Sequence, residues 1–171
     1  MEGKENLLPE ETAQDSDYAD QPLDFPGGGE ATALVCETDP LLRQKIRGGL
    51  EELGYQVSMA ATAGEALNAL RFHLFEVVVL NEQFDAESVR SNDVLSFLEN
   101  MAMSSRRRTF VALISGMART LDRMAAFRRS VNIVIHIQGI DSLARIVRQG
   151  VAEMRAFYHV FQETLQRLGR V

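Results

Sequence analysis

Hydrophobic residues after position 30 occur in short, nearly unbroken runs that alternate with segments of helical periodicity. Five of these runs predict strands, with the sequences ATALVCE, YQVSMAA, EVVVLN, FVALIS and NIVIHI in chain order. Strands that are apolar on both faces are typical of a parallel sheet covered by helices. The pattern therefore predicts an α/β fold of five successive strand–helix units.

Helix-start signals lie between these runs. Asp39 precedes Pro40 as N-cap and first helical residue, and the helix that follows is expected to end near Gly54. Thr62 and Glu65 have the spacing of a capping box for the segment AGEALNALRFHL. The third and fourth helices are predicted over DVLSFLENMAM and ARTLDRMAAFRRS.

Chemistry is expected at the carboxyl ends of the strands, where parallel sheets of this kind bind their ligands. An amide at the end of the third strand is the least expected group there, because it has weak chemistry of its own. The candidate site residues are Glu37, Thr38, Asp39, Asn81, Ser115, Gly116 and His136.

Four segments at these ends resemble a response-regulator receiver domain, the CheY-like module of bacterial two-component signalling. They are ALVCETDP, FEVVVLN, FVALISG and NIVIHIQGIDSL, in the family's order, and the resemblance covers about residues 31–148. It implies a flavodoxin-like (βα)5 three-layer sandwich whose parallel strands follow the order 2-1-3-4-5.

The resemblance also implies a specific chemistry. An Asp at the end of strand three accepts a phosphoryl group, and two acids after strand one help to hold Mg²⁺. A Lys after strand five pairs with the phosphoryl oxygens, a Thr or Ser after strand four hydrogen-bonds them, and an aromatic residue on strand five reports the change.

This chain departs from that pattern at most of these positions. The acid pair is reduced to one carboxylate, no lysine occurs after Lys45, and only the hydroxyl agrees. The resemblance therefore predicts a degenerate pseudo-receiver that is not phosphorylated, is not an enzyme, has no catalytic or metal-ligating residue, and binds Mg²⁺ weakly or not at all. The degenerate positions are Glu37, Thr38, Asn81, Ser115, Ile133 and His136.

Alternatives remain open at this edge. The chain could be an active receiver that accepts a phosphoryl group at a non-standard residue, with Asp85 as a candidate, although a solvated loop acid is the simpler reading. Asn81 and His136 either contribute to a rim pocket or make structural hydrogen bonds only. Cys36 is expected to be an inert core thiol, about 14 Å from strand five in the implied strand order.

Charge and composition narrow the class of protein. Residues 1–30 contain nine acids and one base, so we expect a disordered acidic arm, whereas the rest of the chain has a small positive net charge. No apolar run is long enough for a membrane span and no signal-peptide pattern is present, which favours a cytoplasmic protein. The basic clusters Arg106–Arg108 and Arg128–Arg129 are expected to be solvated or to attract acidic protein surfaces, and nucleic acid is not an expected ligand.

The last predicted helix is longer than the sheet requires. Opened by Asp141, it extends over about 28 residues, or roughly 42 Å, and residues 149–171 are expected to project beyond the domain. We expect a homodimer through this extension, in addition to protein partners in a signalling pathway; docking on another protein, or a fold-back allowed by a bend at Gly150, are the alternatives. The proposed interface residues are Val151, Met154, Phe157, Tyr158, Phe161, Leu165 and Leu168.

Overall fold

A single five-stranded parallel sheet forms the centre of the protein. A computed structural model describes residues 31–86 and 92–169, so the predicted acidic arm lies outside the described residues. The strand order β2-β1-β3-β4-β5 confirms the predicted topology. The strands are β1 (Thr32–Cys36), β2 (Gln56–Ala60), β3 (Val77–Asn81), β4 (Phe110–Ser115) and β5 (Ile133–His136).

Helices cover both faces of this sheet. A 3₁₀ segment, Ile137–Ser142, separates β5 from the last helix. In the described part of the chain, no helix has both the length and the apolarity that crossing a bilayer requires. The helices are α1 (Pro40–Glu52), α2 (Ala63–Phe72), α3 (Asp93–Glu99), α4 (Met103–Arg106), α5 (Arg123–Arg128) and α6 (Leu143–Arg167).

Alternate residues of each central strand belong to two separate hydrophobic cores, one on each face of the sheet. On β3, Val78 and Leu80 belong to the core beneath α2 and α3, whereas Val77 and Val79 belong to the core beneath α1 and α6. Burial on both faces explains why the strand is an unbroken apolar run rather than an alternating one. Both faces of the sheet are therefore buried, and the polar side chains of the described strands gather at their carboxyl ends.

The predicted caps of the first two helices are present. The Asp39 side chain accepts hydrogen bonds from the amides of Leu41 and Leu42 at 2.9 Å. Thr62 Oγ1 accepts from the Glu65 amide at 3.2 Å, as a capping box requires. The Glu65 carboxylate differs from the standard box, because it accepts from the amide of Ala61, one residue before the cap.

The third predicted helix divides into two. α3 ends at Glu99, and the Asn100 side chain donates to the Ser96 carbonyl at 2.8 Å, competing with continued helical bonding. The short helix α4 then begins at Met103, a break that the hydrophobic pattern did not reveal.

The fourth predicted helix is shorter than its sequence pattern. Its first residues form a loop, in which Leu121 has a positive φ of 63° and donates its amide to the Val134 carbonyl at 2.8 Å. Asp122 then caps α5 by accepting from the Ala125 amide. A tertiary bond to β5 thus overrides the local helical preference of residues 118–122.

Helix α6 crosses the predicted domain boundary without interruption. Gly150 marks a close contact and not the predicted bend, because a Cβ there would lie 2.4 Å from Cζ of the buried Phe110. Val151 is 3% exposed and belongs to the core beneath α1 and α6. Its assignment to an intermolecular face is therefore corrected, since its side chain is already covered by its own domain.

We expect Gly150→Ala to destabilise the protein, although alanine is the better helix former. The added methyl group would overlap the Phe110 ring in a close-packed core, at a net cost of about 1–2 kcal/mol. The measurement is the free energy of unfolding in urea.

Gly48→Ala, in α1, is the matched control. Apart from the backbone of α1 and the two adjacent residues, no atom of the described residues lies within 4 Å of the Cβ that this substitution adds, so a gain of up to about 1 kcal/mol is expected. Equal gains in both variants would contradict the close contact at Gly150. A double-mutant cycle with Phe110→Leu then tests whether the loss at Gly150 depends on the ring.

Candidate functional site

Asn81, the last residue of β3, uses both ends of its amide. Its Nδ2 donates to Oε2 of Glu37 at 2.7 Å, and its Oδ1 accepts from the Gln83 amide at 2.9 Å. The first bond joins the ends of β3 and β1, and the second closes a turn directly after β3. Asn81 is therefore a bound structural amide and not a free group at the edge of the sheet.

Glu37 is the buried carboxylate of this pair. It is 1% exposed, and its Oε1 accepts from the Asp39 amide at 2.9 Å. Both carboxylate oxygens thus have a protein donor, which offsets the cost of burying the charge. The neighbouring Thr38 is exposed, and the Asp39 carboxylate caps α1.

A second buried carboxylate, Glu82, lies next to Asn81 in the chain. It is 6% exposed, and its Oε1 accepts from Ser115 Oγ and from the Gly116 amide, both at 2.9 Å. Sequence reasoning missed this residue. Its signal was an acid placed directly after a fully buried strand, where a solvated turn residue is the usual interpretation.

The Ser115 hydroxyl is fully used. It donates to Glu82 and accepts from the amides of Met117 and Ala118, at 3.1 and 3.0 Å. These two accepted bonds fix the first turn of the loop after β4. Ser115 thus connects the end of β3 to that loop through its side chain alone.

Asn92 is a further buried polar residue that the sequence did not single out as a site residue. It is 1% exposed, and its Nδ2 donates to the carbonyls of Asn81 and Glu82 at 3.2 Å. Its Oδ1 accepts from the Leu95 amide and so caps α3. Asn92 therefore fixes the backbone that presents both Asn81 and Glu82.

Several solved structures with this architecture are described as response regulators or their receiver domains. A CheY-like response regulator receiver domain protein from Methanospirillum hungatei JF-1 is similar at 19% identity and a TM-score of 0.59, over 75% of this chain and 98% of that chain. Chemotaxis response regulator CheY4 of Vibrio cholerae is similar at 16% identity and a TM-score of 0.57, over 71% and 99%. The chain has the receiver fold of response regulators.

Another solved structure, the orphan response regulator HP1043 of H. pylori, is similar at 15% identity and a TM-score of 0.55, over 72% of this chain and 98% of that chain. The sequence matches no family model and no curated protein. At these identities the comparisons show the fold alone.

The fifth strand of this receiver fold places His136 beside Ser115 in the sheet register. The His136 amide donates to Thr120 Oγ1 at 3.0 Å, and Nδ1 accepts from the Gln138 amide at 3.2 Å. The ring therefore caps the 3₁₀ segment. Ile133 lies at the start of β5 and packs against the core beneath α1 and α6.

Cys36 lies in the interior of the receiver fold. It is fully buried at the end of β1, and burial raises the pKa of its thiol to about 12. Strands β3 and β4 separate β1 from β5, so the thiol and His136 lie three strand spacings apart. This separation agrees with the expectation of an inert core thiol.

Asp85, the alternative acceptor, already has a partner. Its Oδ2 accepts from the amide of Ala63 at 2.7 Å, at the start of α2. Its backbone has a positive φ of 47°, which is uncommon for a residue with a side chain but tolerated by Asp. Asp85 therefore contributes to loop structure on the α2 side of the sheet.

A cleft of about 540 Å³ opens beside Glu82 and Ser115. Its walls carry charges of both signs, from Glu99 and Asp122 as well as Arg128 and Arg129. The second predicted basic cluster thus borders a concave surface that extends to the buried hydrogen bonds at the end of β3.

The first basic cluster is partly structural. Arg106 donates to the carbonyls of Thr109 and Ser130 at 2.7 and 2.9 Å, and burial lowers the pKa of its guanidinium. The Arg107 guanidinium lies 4.3 Å from the centre of the Phe161 ring, in cation–π contact. The expectation that these charges are solvated or attract acidic protein surfaces is therefore corrected for these two residues, which contact their own domain.

We expect Asn81→Asp to destabilise the protein at neutral pH by about 2–4 kcal/mol. The substitution replaces a donor with a carboxylate oxygen, at the position that lies 2.7 Å from Oε2 of the buried Glu37. Thermal unfolding at neutral and mildly acidic pH measures the loss. It should decrease in acid, where one of the two carboxyls carries a proton and donates the hydrogen bond.

Mg²⁺ should also stabilise this variant more than the unmodified chain, because two carboxylates form a better site for a hard cation than one. Asn68→Asp, with the same change in charge at an exposed position within α2, is the control and should change stability by less than about 0.5 kcal/mol. An Asn81→Asp protein as stable as the parent at neutral pH would contradict the Asn81–Glu37 contact.

Proposed function

We propose that this chain is a cytoplasmic receiver-fold protein that accepts no phosphoryl group and acts by binding other proteins in a bacterial signalling pathway. The observation that carries the proposal is the state of Asn81, whose Nδ2 and Oδ1 are both hydrogen-bonded to neighbouring groups. An amide lacks the negative charge of a carboxylate nucleophile. The Asn81 amide is also held in place by its hydrogen bonds to Glu37 and Gln83.

The partners that phosphoryl transfer requires are missing or differently used. The only lysine in the described residues, Lys45, forms an exposed ion pair with Asp141. Glu37 offers one carboxylate, and both of its oxygens already accept hydrogen bonds. These residues do not fit Mg²⁺, which prefers several free oxygen ligands in octahedral geometry. We therefore propose neither enzymatic activity nor a metal cofactor.

The Ser115 hydroxyl, the one position that agrees with the family pattern, supports the same conclusion. The resemblance to receiver domains implies that this hydroxyl donates a hydrogen bond to the phosphoryl group. Here it donates to the Glu82 carboxylate. A hydroxyl has a single proton to donate. Because Glu82 accepts the proton of Ser115, that hydroxyl cannot at the same time donate to a phosphoryl oxygen.

Helix α6 supplies the surface that we propose for homodimerisation. At 1.5 Å per residue its 25 residues span about 37 Å, whereas a five-residue strand spans about 17 Å. One side of its second half rests on the domain: Met154 accepts from the Asn132 side chain, and Arg155 pairs with Glu76. Phe157, one turn beyond Met154, and Val160 are nevertheless 78% and 71% exposed.

Exposed aromatic and aliphatic groups in one row favour burial against a second copy of the helix. Leu168 extends the row and is 64% exposed. Phe161, which contacts Arg107, is 40% exposed, and Leu165 is half-buried. The helix continues as one element to Arg167, so a reversal of the chain at Gly150 is not the arrangement that we propose. Protein partners of the signalling pathway are proposed to bind the dimer.

We expect no phosphoryl adduct when the intact protein is incubated with acetyl phosphate and Mg²⁺ and then analysed by mass spectrometry. A receiver domain that retains Asp at the end of its third strand serves as the positive control. A stoichiometric, alkali-labile adduct would overturn the proposal in favour of a receiver that uses a non-standard residue. Repeating the reaction with Asp85→Asn would then test the best-placed candidate.

We expect the intact chain to sediment as a dimer at tens of micromolar, and Phe157→Glu to weaken the dimer by roughly tenfold or more. A point substitution is preferable to truncation near residue 152, because truncation also removes Met154, which packs on the domain core. Phe72→Glu, equally exposed at the end of α2, is the control and should remain dimeric. A monomeric parent protein would contradict the proposed interface.

A further inference from the structure

Positive charge in the domain is concentrated in one segment of the chain. Residues 101–130, which include α4, β4 and α5, contain seven arginines and a single acid, Asp122. Residues 31–100 contain eleven acids and five bases. The small positive net charge of the domain is therefore the difference between a basic part and an acidic part. A negatively charged segment is attracted to the first part and repelled by the second.

Arg106 joins the two arginine clusters of this segment. Arg106 is the last residue of α4, and its guanidinium donates to the carbonyl of Ser130, just beyond the end of α5, at 2.9 Å. This bond places the residues before β4 beside the residues before β5, at the edge where the parallel strands begin. We define the basic surface as the three arginines that flank this contact, which are Arg108, Arg128 and Arg129.

The acidic arm joins the domain at the same edge of the sheet. The Ala31 carbonyl accepts from the Gln56 amide at 2.8 Å, where β1 and β2 begin. Two strand spacings, about 10 Å, separate the start of β1 from the start of β4. Asp24 precedes Ala31 by seven residues and can therefore reach about 23 Å from it, at about 3.3 Å per extended residue. The acids of the arm are thus within reach of the basic surface.

We propose that the acidic arm, residues 1–30, binds to the basic surface of its own domain. The arm contains nine acids and one base, which is more than enough negative charge to neutralise the three arginines. Because the arm is covalently joined to the domain, its effective concentration at the surface is about millimolar. A separate acidic protein therefore has to displace the arm before it can bind there.

An exposed aromatic residue accompanies the basic surface. Phe127, directly before Arg128 in α5, is 79% exposed. In the arm, Tyr18 and Phe25 each directly follow an aspartate. The arm therefore matches the surface both in charge and in apolar character, whereas the phosphate backbone of duplex DNA matches its charge alone. This double match favours the arm over nucleic acid as the occupant.

This inference goes beyond the proposed function, because it concerns the occupant of the basic surface and neither phosphorylation nor the α6 interface. It remains testable if the chain accepts a phosphoryl group or is a monomer. No phosphodonor is used in the experiment, so the two proposals fail separately.

The test is paramagnetic relaxation in the intact ¹⁵N-labelled chain, with a nitroxide attached to Gln21→Cys in the arm. Cys36 does not compete for the label, because it is fully buried and burial raises the pKa of its thiol. At low salt, the amide signals of Arg129 and Ser130 should lose intensity. The loss should disappear in about 1 M NaCl, where the Debye length is about 3 Å. The amide signal of Gly48, in α1, should keep its intensity.

Arg128→Gln combined with Arg129→Gln removes two of the three charges and should abolish most of the intensity loss at Ser130. Arg43→Gln combined with Arg47→Gln is the matched control, because it removes the same charge from α1, on the other face of the sheet. This control should leave the intensity loss unchanged. If a double variant does not fold, the salt titration of the chain with all its arginines still decides the result.

Three results would overturn the inference. The first is an Arg129 signal that the label does not affect at low salt, including the case in which that signal shifts instead on addition of a DNA duplex. The second is an equal intensity loss in both double variants. The third is an intensity loss in an equimolar mixture of spin-labelled ¹⁴N chains and label-free ¹⁵N chains, because the arm of a second copy would then be the occupant.

Discussion

Two consecutive side chains at the end of β3 connect three strands of the sheet at their carboxyl edge. Asn81 donates towards β1, to Glu37, and Glu82 accepts from β4, through Ser115 and Gly116. The backbone between them is held by Asn92. Elsewhere the strands are joined by backbone hydrogen bonds and apolar packing, so side-chain hydrogen bonds of this network determine the conformation of the carboxyl edge.

Among residues 31–86 and 92–169, the network contains two buried carboxylates and no lysine or arginine hydrogen-bonded to them. Each carboxylate is compensated by neutral donors, an amide side chain and a backbone amide for Glu37, and a hydroxyl and a backbone amide for Glu82. Such donors are fixed in space and do not dissociate. An edge satisfied in this way has little to gain from a cation or from a change of conformation, which is consistent with a role in binding proteins.

The strands and the first two helices could be predicted because their signals are local: apolar runs of strand length, and caps such as Asp39 and Thr62. The position of Asn81 followed from the same runs. The role of Glu82 could not be predicted from the sequence. It depends on the strand register that pairs Asn81 with Ile114, which brings Ser115 within hydrogen-bonding distance of Glu82. The length of α5 was missed for the same reason, since its first turn is replaced by a bond to β5.

The contact of Gly150 with Phe110 has a consequence for any partner of α6. Successive helical residues are about 100° apart around the helix axis. Because Gly150 has no side chain to overlap the Phe110 ring, this contact fixes the rotation of α6 about its own axis. A slip by one residue would place Gln149 or Val151 against Phe110. The direction in which Phe157 and Val160 project, about two and three turns further along α6, is thus set by the absence of a side chain at Gly150.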